Sequence, residues 1–235
     1  MIIYLGVGGS KIVHAFAKEH DCGWLMTPYN KRRELSGLRF CLDNGKFAVF
    51  LNEQEGEKRN RNPNWKPLVW DPDKFRKFYQ SYPGYDFIVV PDRVCPPDPK
   101  DSLDLSESWV EEIPRPRYLA VQDGMDAAMV VAVIHKYDGI FVGGSIKWKN
   151  STMPMWCDVA HLHGKKCHVG RIWGWESMIE AFFCGADSID STSASRHQDD
   201  LQIRLYKEAL QTQTILTAKN RLEWHPAKVG EGCCR

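Results

Sequence analysis

Short apolar runs rich in β-branched and aromatic residues recur along the chain, and most are followed by a stretch with helical spacing of apolar positions. Eight runs read as strands: Ile2–Val7, Gly23–Tyr29, Arg39–Asp43, Asp86–Asp92, Arg117–Gln122, Gly139–Gly143, Lys166–Ile172 and Ala186–Asp190. Several are apolar at consecutive positions, as in Phe87-Ile88-Val89-Val90, which suits strands covered on both faces rather than wetted on one. Helices are expected over Lys11–His20, Pro72–Tyr82, Ser106–Glu112, Met125–Lys136, Pro154–His163, Trp175–Cys184 and Gln198–Gln211. In Trp175–Cys184, Met178, Ile179, Phe182 and Phe183 fall on one side while Glu176 and Glu180 mark another. Strand–helix alternation of this kind predicts a parallel sheet with crossover helices, and eight repeats predict a single (β/α)8 barrel of the TIM type over residues 1–235. A doubly wound open sheet is the alternative. The charge-dense, proline-bearing segment Asn52–Pro67 lacks apolar periodicity and is expected to be an inserted loop after the third strand, and residues 212–235 a short tail.

The chain length of 235 residues suits one such barrel. An apolar fraction of 43% and a charged fraction of 26% are those of an ordinary globular protein, and no apolar run approaches the roughly 20 residues of a membrane span. The opening Ile2-Ile3-Tyr4-Leu5 carries no basic leader or cleavage site, so a cytoplasmic location is expected. Cys41, Cys95, Cys157, Cys167 and Cys184 lie in or beside apolar segments and read as reduced core thiols. Cys233 and Cys234, with His225, leave a metal or an oxidised tail open. The net charge of +1 carries no information about partners as a total, since nucleic-acid binding depends on where basic residues cluster.

Chemistry concentrates at the strand ends. Strand three closes with Asp43-Asn44-Gly45, strand four with Asp92-Arg93, strand five with Gln122-Asp123-Gly124, strand six with Gly143-Gly144, and strand eight with Asp190-Ser191-Thr192. In a parallel barrel these ends share one face, so three carboxylates would meet there, an arrangement seldom kept without a cation, a hydrogen-bonding ligand or catalysis to use it. Asp187 is an internal competitor of Asp190, but the odd offset along a strand turns it toward the helical shell. Structural roles stand beside the chemical ones: Asp92 as a turn cap or a partner of Arg93, and Gln122 as a satisfied core amide. His14, His135, His161 and His163 read as surface or core histidines, and Trp173 and Trp175 as packing or as a rim that stacks a base.

The segment Gly185-Ala186-Asp187-Ser188-Ile189-Asp190-Ser191-Thr192-Ser193-Ala194-Ser195-Arg196 resembles, without a gap, the G-x-D-x-F-D-x-x-x-x-x-R element of the tRNA-guanine transglycosylase superfamily. Asp43-Asn44-Gly45-Lys46-Phe47 is similar to that superfamily's D-S-G-G-F, Gln122-Asp123-Gly124 to its Q-G-G, and Gly143-Gly144 to its G-G-L, with Asp92 where it has a strand-closing aspartate. The resemblance covers roughly residues 23 to 196. It implies base exchange on a guanine in nucleic acid, with Asp190 as nucleophile toward C1′ and Asp43 as acid then base. Asp92, Gln122, Gly143, Gly144 and Ser145 would hold the purine, and Arg196 the nucleic acid. The zinc motif of the tRNA-acting members is absent, so no cofactor is expected. That absence favours the phage and bacterial relatives that insert 7-deazaguanines of the preQ0 type into DNA. The same chemistry on tRNA, a base-hydrolysing glycosidase and a non-catalytic nucleic-acid-binding barrel are the rival readings. Phosphate contacts are expected from the basic runs Lys31-Arg32-Arg33, Lys58-Arg59-Asn60-Arg61 with Trp65-Lys66, and Lys147-Trp148-Lys149, of which Arg59, Arg61, Lys147 and Lys149 are the foremost candidates.

Overall fold

The computed structural model describes residues 1–6, 11–30, 37–58, 66–94 and 98–192, leaving aside the side chains of residues 55–58 and 175. Eight parallel strands close into a barrel in sequence order: β1 (Ile2–Gly6), β2 (Gly23–Met26), β3 (Phe40–Leu42), β4 (Ile88–Val89), β5 (Arg117–Val121), β6 (Gly139–Val142), β7 (Lys166–Val169) and β8 (Ser188–Ser191). β8 closes on β1 in the register Tyr4 opposite Asp190. All eight expected strands are present, and the open-sheet alternative is excluded. The strands are shorter than their apolar runs because pairing ends where the chain turns into the rim. At β4 the backbone bonding still reaches past the strand, with Asp86 N–H donating to the Phe40 carbonyl at 2.8 Å and Val90 N–H to that of Tyr118 at 3.0 Å.

Alternation along the strands separates two cores. Ile3, Leu5, Trp24, Met26, Leu42, Ile88, Val90, Leu119, Val121, Ile140, Val142, Val169 and Ile189 face outward into the main cluster beneath the helices. Tyr4, Leu25, Cys41, Phe87, Val89, Tyr118 and Ala120 face inward and form a second cluster in the lumen, with Phe141 against it. Large inward rings stand over inward glycines, since a Cβ on Gly23 would lie 2.5 Å from the Tyr4 ring and one on Gly139 2.6 Å from that of Tyr118. The alternation of large and small residues fills the lumen without strain.

Around the barrel lie α1 (Lys11–Glu19), α2 (Lys46–Lys58), α3 (Pro72–Gln80), α4 (Pro99–Trp109), α5 (Ala127–Val133) followed by a 3-10 turn, α6 (Ile146–Leu162) and α7 (Gly174–Phe183). Three helices correct the sequence reading. α2 runs through Asn52–Lys58, half of the segment expected as an inserted loop; its Glu, Gln and Lys residues are good helix formers even without an apolar stripe. α4 starts at Pro99 rather than Ser106, because Asp98 caps it, accepting from Lys100 N–H at 2.9 Å. α6 starts at Ile146, capped by Ser145, and Pro154, expected at its beginning, lies inside it. No described helix is long and apolar enough to cross a membrane. The helix expected over Gln198–Gln211, the residues Arg59, Arg61 and Arg196, the run Lys31-Arg32-Arg33, and Cys233, Cys234 and His225 lie outside the described residues.

A candidate active site at the carboxyl ends of the strands

Parity decides which strand-end side chains meet. Asp43 follows the inward Cys41, Gln122 the inward Ala120, and Asp190 the inward Ser188, so all three turn toward the mouth of the lumen. Asp187 instead faces the shell, where its carboxylate bonds His161 Nε2 at 2.9 Å, Lys166 Nζ at 2.9 Å and Cys167 N–H at 2.8 Å. That set of partners makes Asp187 a shell residue and leaves Asp190 as the one of this pair that faces the lumen.

Asp190 is 1% exposed, and its Oδ1 lies 3.0 Å from His168 Nε2. The other nitrogen of that ring is 2.8 Å from Ser188 Oγ. His168 is itself wedged among lumen rings, stacked on Phe141 at a 4.8 Å centroid separation with Tyr4 and Phe87 at its edges. With Ser188 donating to Nδ1, the imidazole presents an Nε2–H to the carboxylate and fixes its orientation. Sequence reasoning passed over His168. The signal available was parity: among the described residues it is the one imidazole in a strand, in phase with Gly170.

Asp92 is also buried, and both of its oxygens have amide partners. Asn44 Nδ2 donates to Oδ1 at 2.8 Å and to the Val90 carbonyl at 3.0 Å, while Gln122 Nε2 donates to Oδ2. Arg93 is exposed and is not its partner. Trp70 Nε1–H holds the Asn44 carbonyl at 2.9 Å, and Lys46 Nζ lies 4.3 Å from the Trp70 ring centroid. Gly143 leaves the space that Gln122 occupies, since a Cβ there would stand 2.9 Å from Gln122 Nε2. Gly144 turns at φ +75°, beyond the reach of most side-chain-bearing residues. Ser145 serves as a cap: its Oγ and N–H bond Asp123 at 2.5 and 2.6 Å, and Oγ accepts from Trp148 N–H.

Asp43 is the most open of the three acids. Burial, then the charges of Asp92 and Asp190, push its carboxyl up to about 7, against a smaller opposing pull from the Asn44 and Gly45 N–H groups. Burial likewise raises Asp92, with the Asn44 and Gln122 amides and Lys46 opposing it. The Asp92 and Asp190 charges both act on Asp43, and the lumen-facing Gln122 bonds Asp92, which groups the three carboxylates at the same end of the barrel. A group that takes up and gives back a proton near neutrality, beside a fixed buried carboxylate, is the arrangement that acid–base and nucleophilic chemistry require.

Two cations enter the site, and one leaves the surface. Lys149, expected with Lys147 as a phosphate contact, is 1% exposed; its ammonium donates to the carbonyls of Gly170 and Arg171. It sits on the inner side of α6, whereas Lys147 remains exposed. Burial and the nearby Arg171 charge push Lys149 down to about 8, with Asp190 acting the other way. Arg171, not singled out from the sequence, spans the mouth from β7 to the Gly144 carbonyl and lies over the Phe47 ring. Among the described residues no cluster of three or more His, Cys, Asp or Glu is arranged to hold a metal ion. No protein-family model matches the chain, and no curated protein is matched to it by sequence.

Proposed function

We propose that the chain is a guanine transglycosylase, built on a TIM-type barrel, that exchanges a guanine in DNA for a 7-deazaguanine. The observation that carries the proposal is the shared mouth of Asp43, Asp92 and Asp190, with the Gln122 amide bonded to Asp92. Asp190, oriented by His168, supplies the electron pair that forms a bond to C1′ as the glycosidic bond breaks toward the base. Asp43, whose pKa near 7 keeps a protonated fraction at neutral pH, passes its proton to the departing purine. The incoming base then loses a proton to the Asp43 carboxylate and attacks C1′, releasing Asp190 and retaining configuration.

Guanine offers N1–H and an exocyclic amine beside the O6 acceptor. Asp92 would take the donors, and Gln122, bonded to it, and the Gly144 N–H would take O6. Adenine would leave a buried carboxylate facing an acceptor, at a cost of about 1–3 kcal/mol for each unpaired group. Seating guanine on Asp92 adds to the bonds from Asn44 and Gln122 rather than replacing them, since a carboxylate has about four acceptor positions.

The test is nucleoside mass spectrometry on DNA and tRNA from cells that express the chain and are supplied with a deazaguanine, with Asp190→Asn alongside. Deazaguanine in DNA, lost by several orders of magnitude in the variant together with any covalent adduct, is the expected result. Incorporation into tRNA alone would move the activity to tRNA, and abasic sites without incorporation would make it a hydrolase. Unaltered exchange in Asp190→Asn would remove Asp190 from the mechanism.

A further inference from the structure

β7 leaves the barrel through Gly170, Arg171 and Ile172, and the residues flanking Arg171 lie on either side of Asp190, one facing its carboxylate and the other bonded to its backbone. A Cβ on Gly170 would stand 3.3 Å from Asp190 Oδ1, and Ile172 N–H donates to the Asp190 carbonyl at 2.8 Å. Arg171 between them has φ +54°. A left-handed backbone is costly for a long side chain, and it persists only where the surroundings enforce it. Here two contacts enforce it. From inside the barrel wall, the buried Lys149 ammonium holds the carbonyls of Gly170 and Arg171. Across the mouth, the guanidinium bonds the Gly144 carbonyl, and its Cζ lies 3.8 Å from the Phe47 ring centroid.

The construction sets a guanidinium among the acids, beside Lys149, whose ammonium is taken up by two carbonyls, and Lys46, which lies on the Asp92 side against the Trp70 ring. Burial lowers the affinity of Arg171 for its proton, and Asp190, Asp43, Asp123 and Asp92 oppose that loss. A guanidinium carries five N–H donors in a planar fork, and the bond to a carbonyl uses one. Neither a purine nor a sugar needs a positive charge beside the nucleophile. A nucleotide within a strand does, because it brings a phosphodiester to a mouth whose carboxylates repel it.

We propose that Arg171 receives the phosphodiester beside the sugar that Asp190 attacks, with Lys149 as its positioning residue; this rests on the nucleic-acid reading above. Arg171 binds the phosphate through its free donors, as guanidinium groups do in paired fashion. Lys149 touches no substrate and acts by holding the left-handed peptide.

Fluorescence anisotropy of a short labelled single-stranded DNA containing guanine, and of the RNA of the same sequence, tests both parts across about 50 to 200 mM KCl. Arg171→Ala is expected to weaken binding about tenfold or more, and to reduce the slope of log affinity against log salt by about 0.7, the share of one phosphate on a single strand. Arg171→Lys keeps most of the slope while losing part of the affinity. Arg171→Gly binds as weakly as Arg171→Ala yet unfolds about 2–4 °C higher, because glycine accepts φ +54° freely. Lys149→Met weakens binding, Lys149→Gln recovers part of the loss through its remaining N–H donors, and Lys149→Met with Arg171→Ala is no weaker than Arg171→Ala alone. Wild-type binding with an unchanged slope in Arg171→Ala would overturn the assignment while the nucleic-acid reading stands. Additive losses in the double variant would overturn the part given to Lys149, and no binding of either strand by the wild type would overturn the nucleic-acid reading and this inference together.

Discussion

Replacing Asp43 by Asn isolates the cost of the central charge. The carboxyl rises from 3.8 to about 7 on folding, so between these values the folded chain binds more protons than the unfolded one. Stability therefore falls as pH rises through that window, the reverse of an acid held in a salt bridge. At about 1.4 kcal/mol for each tenfold change in proton affinity, ionising Asp43 removes about 3 kcal/mol of stability between roughly pH 4.5 and 8. Asn has the shape of the protonated acid and can still accept from the Asn44 and Gly45 N–H groups. The variant is thus expected to lie within about 1 kcal/mol of the wild type at the acid end of this range and to exceed it by about 4 kcal/mol at the alkaline end, a gap that widens by about 3 kcal/mol. The assay is urea unfolding of both proteins at a series of pH values, taking the difference so that every other titrating group cancels. Base exchange by the variant is expected to be lost throughout, which would make Asp43 a residue kept at the expense of stability. Parallel stability curves across the whole range would refute the raised pKa, and with it the acid–base role.

Gly170→Ala is expected to lower stability by about 1–3 kcal/mol, because the added methyl would lie 2.6 Å from the Phe141 ring and 3.3 Å from Asp190 Oδ1; thermal unfolding checks this, and an unchanged midpoint would show that the lumen gives way freely. Asp187→Asn breaks an ion pair with the largely exposed Lys166 and should cost less than about 1 kcal/mol. The same variant leaves exchange on DNA intact, and loss of turnover there would return Asp187 to the list of candidate nucleophiles. Asp92→Ala removes the acceptor of the Gln122 amide, leaving Asn44 its bond to the Val90 carbonyl, and should weaken guanine retention about tenfold or more, read as a rise in KM for the incoming base.

Strand number, order and inward parity were legible because eight consecutive apolar runs leave little freedom in how a parallel barrel closes. Asp190 and Asp187 were separable for the same reason: a two-residue repeat puts an odd offset on the other face, and Asp187 indeed bonds to His161 of the shell. Helix starts were less legible. A proline marks a first turn on average, yet Pro154 sits well inside α6, and the true start is set by Ser145 and its bonds to Asp123. α2 was missed because its residues favour helix through propensity alone, without a periodic apolar stripe. The largest omissions in the site were Lys149, Arg171 and His168. Their roles depend on long-range neighbours: a lysine in a basic run reads as surface until α6 is seen to turn it beneath β7.

The lumen explains how the barrel tolerates three acids at one end. Its lower part is filled by Tyr4, Phe87 and Tyr118, the last two stacked at 4.1 Å, and by the Phe141–His168 pair. Apolar burial there and in the outer shell is independent of the charge state at the mouth. In the upper part Gly143 and Gly170 make room for Gln122 and Phe141, and carboxylates stand where branched residues would otherwise pack. His168 joins the two parts, being a ring in the apolar stack and a hydrogen-bonding group toward Asp190. A carboxylate on a loop would trade orientation for access, whereas Asp190, the proposed nucleophile, lies within a strand paired on both sides and is held by the barrel itself. Rigidity below and like charges above are therefore two sides of one construction: the packed floor supplies the stability that the clustered acids at the strand ends cost.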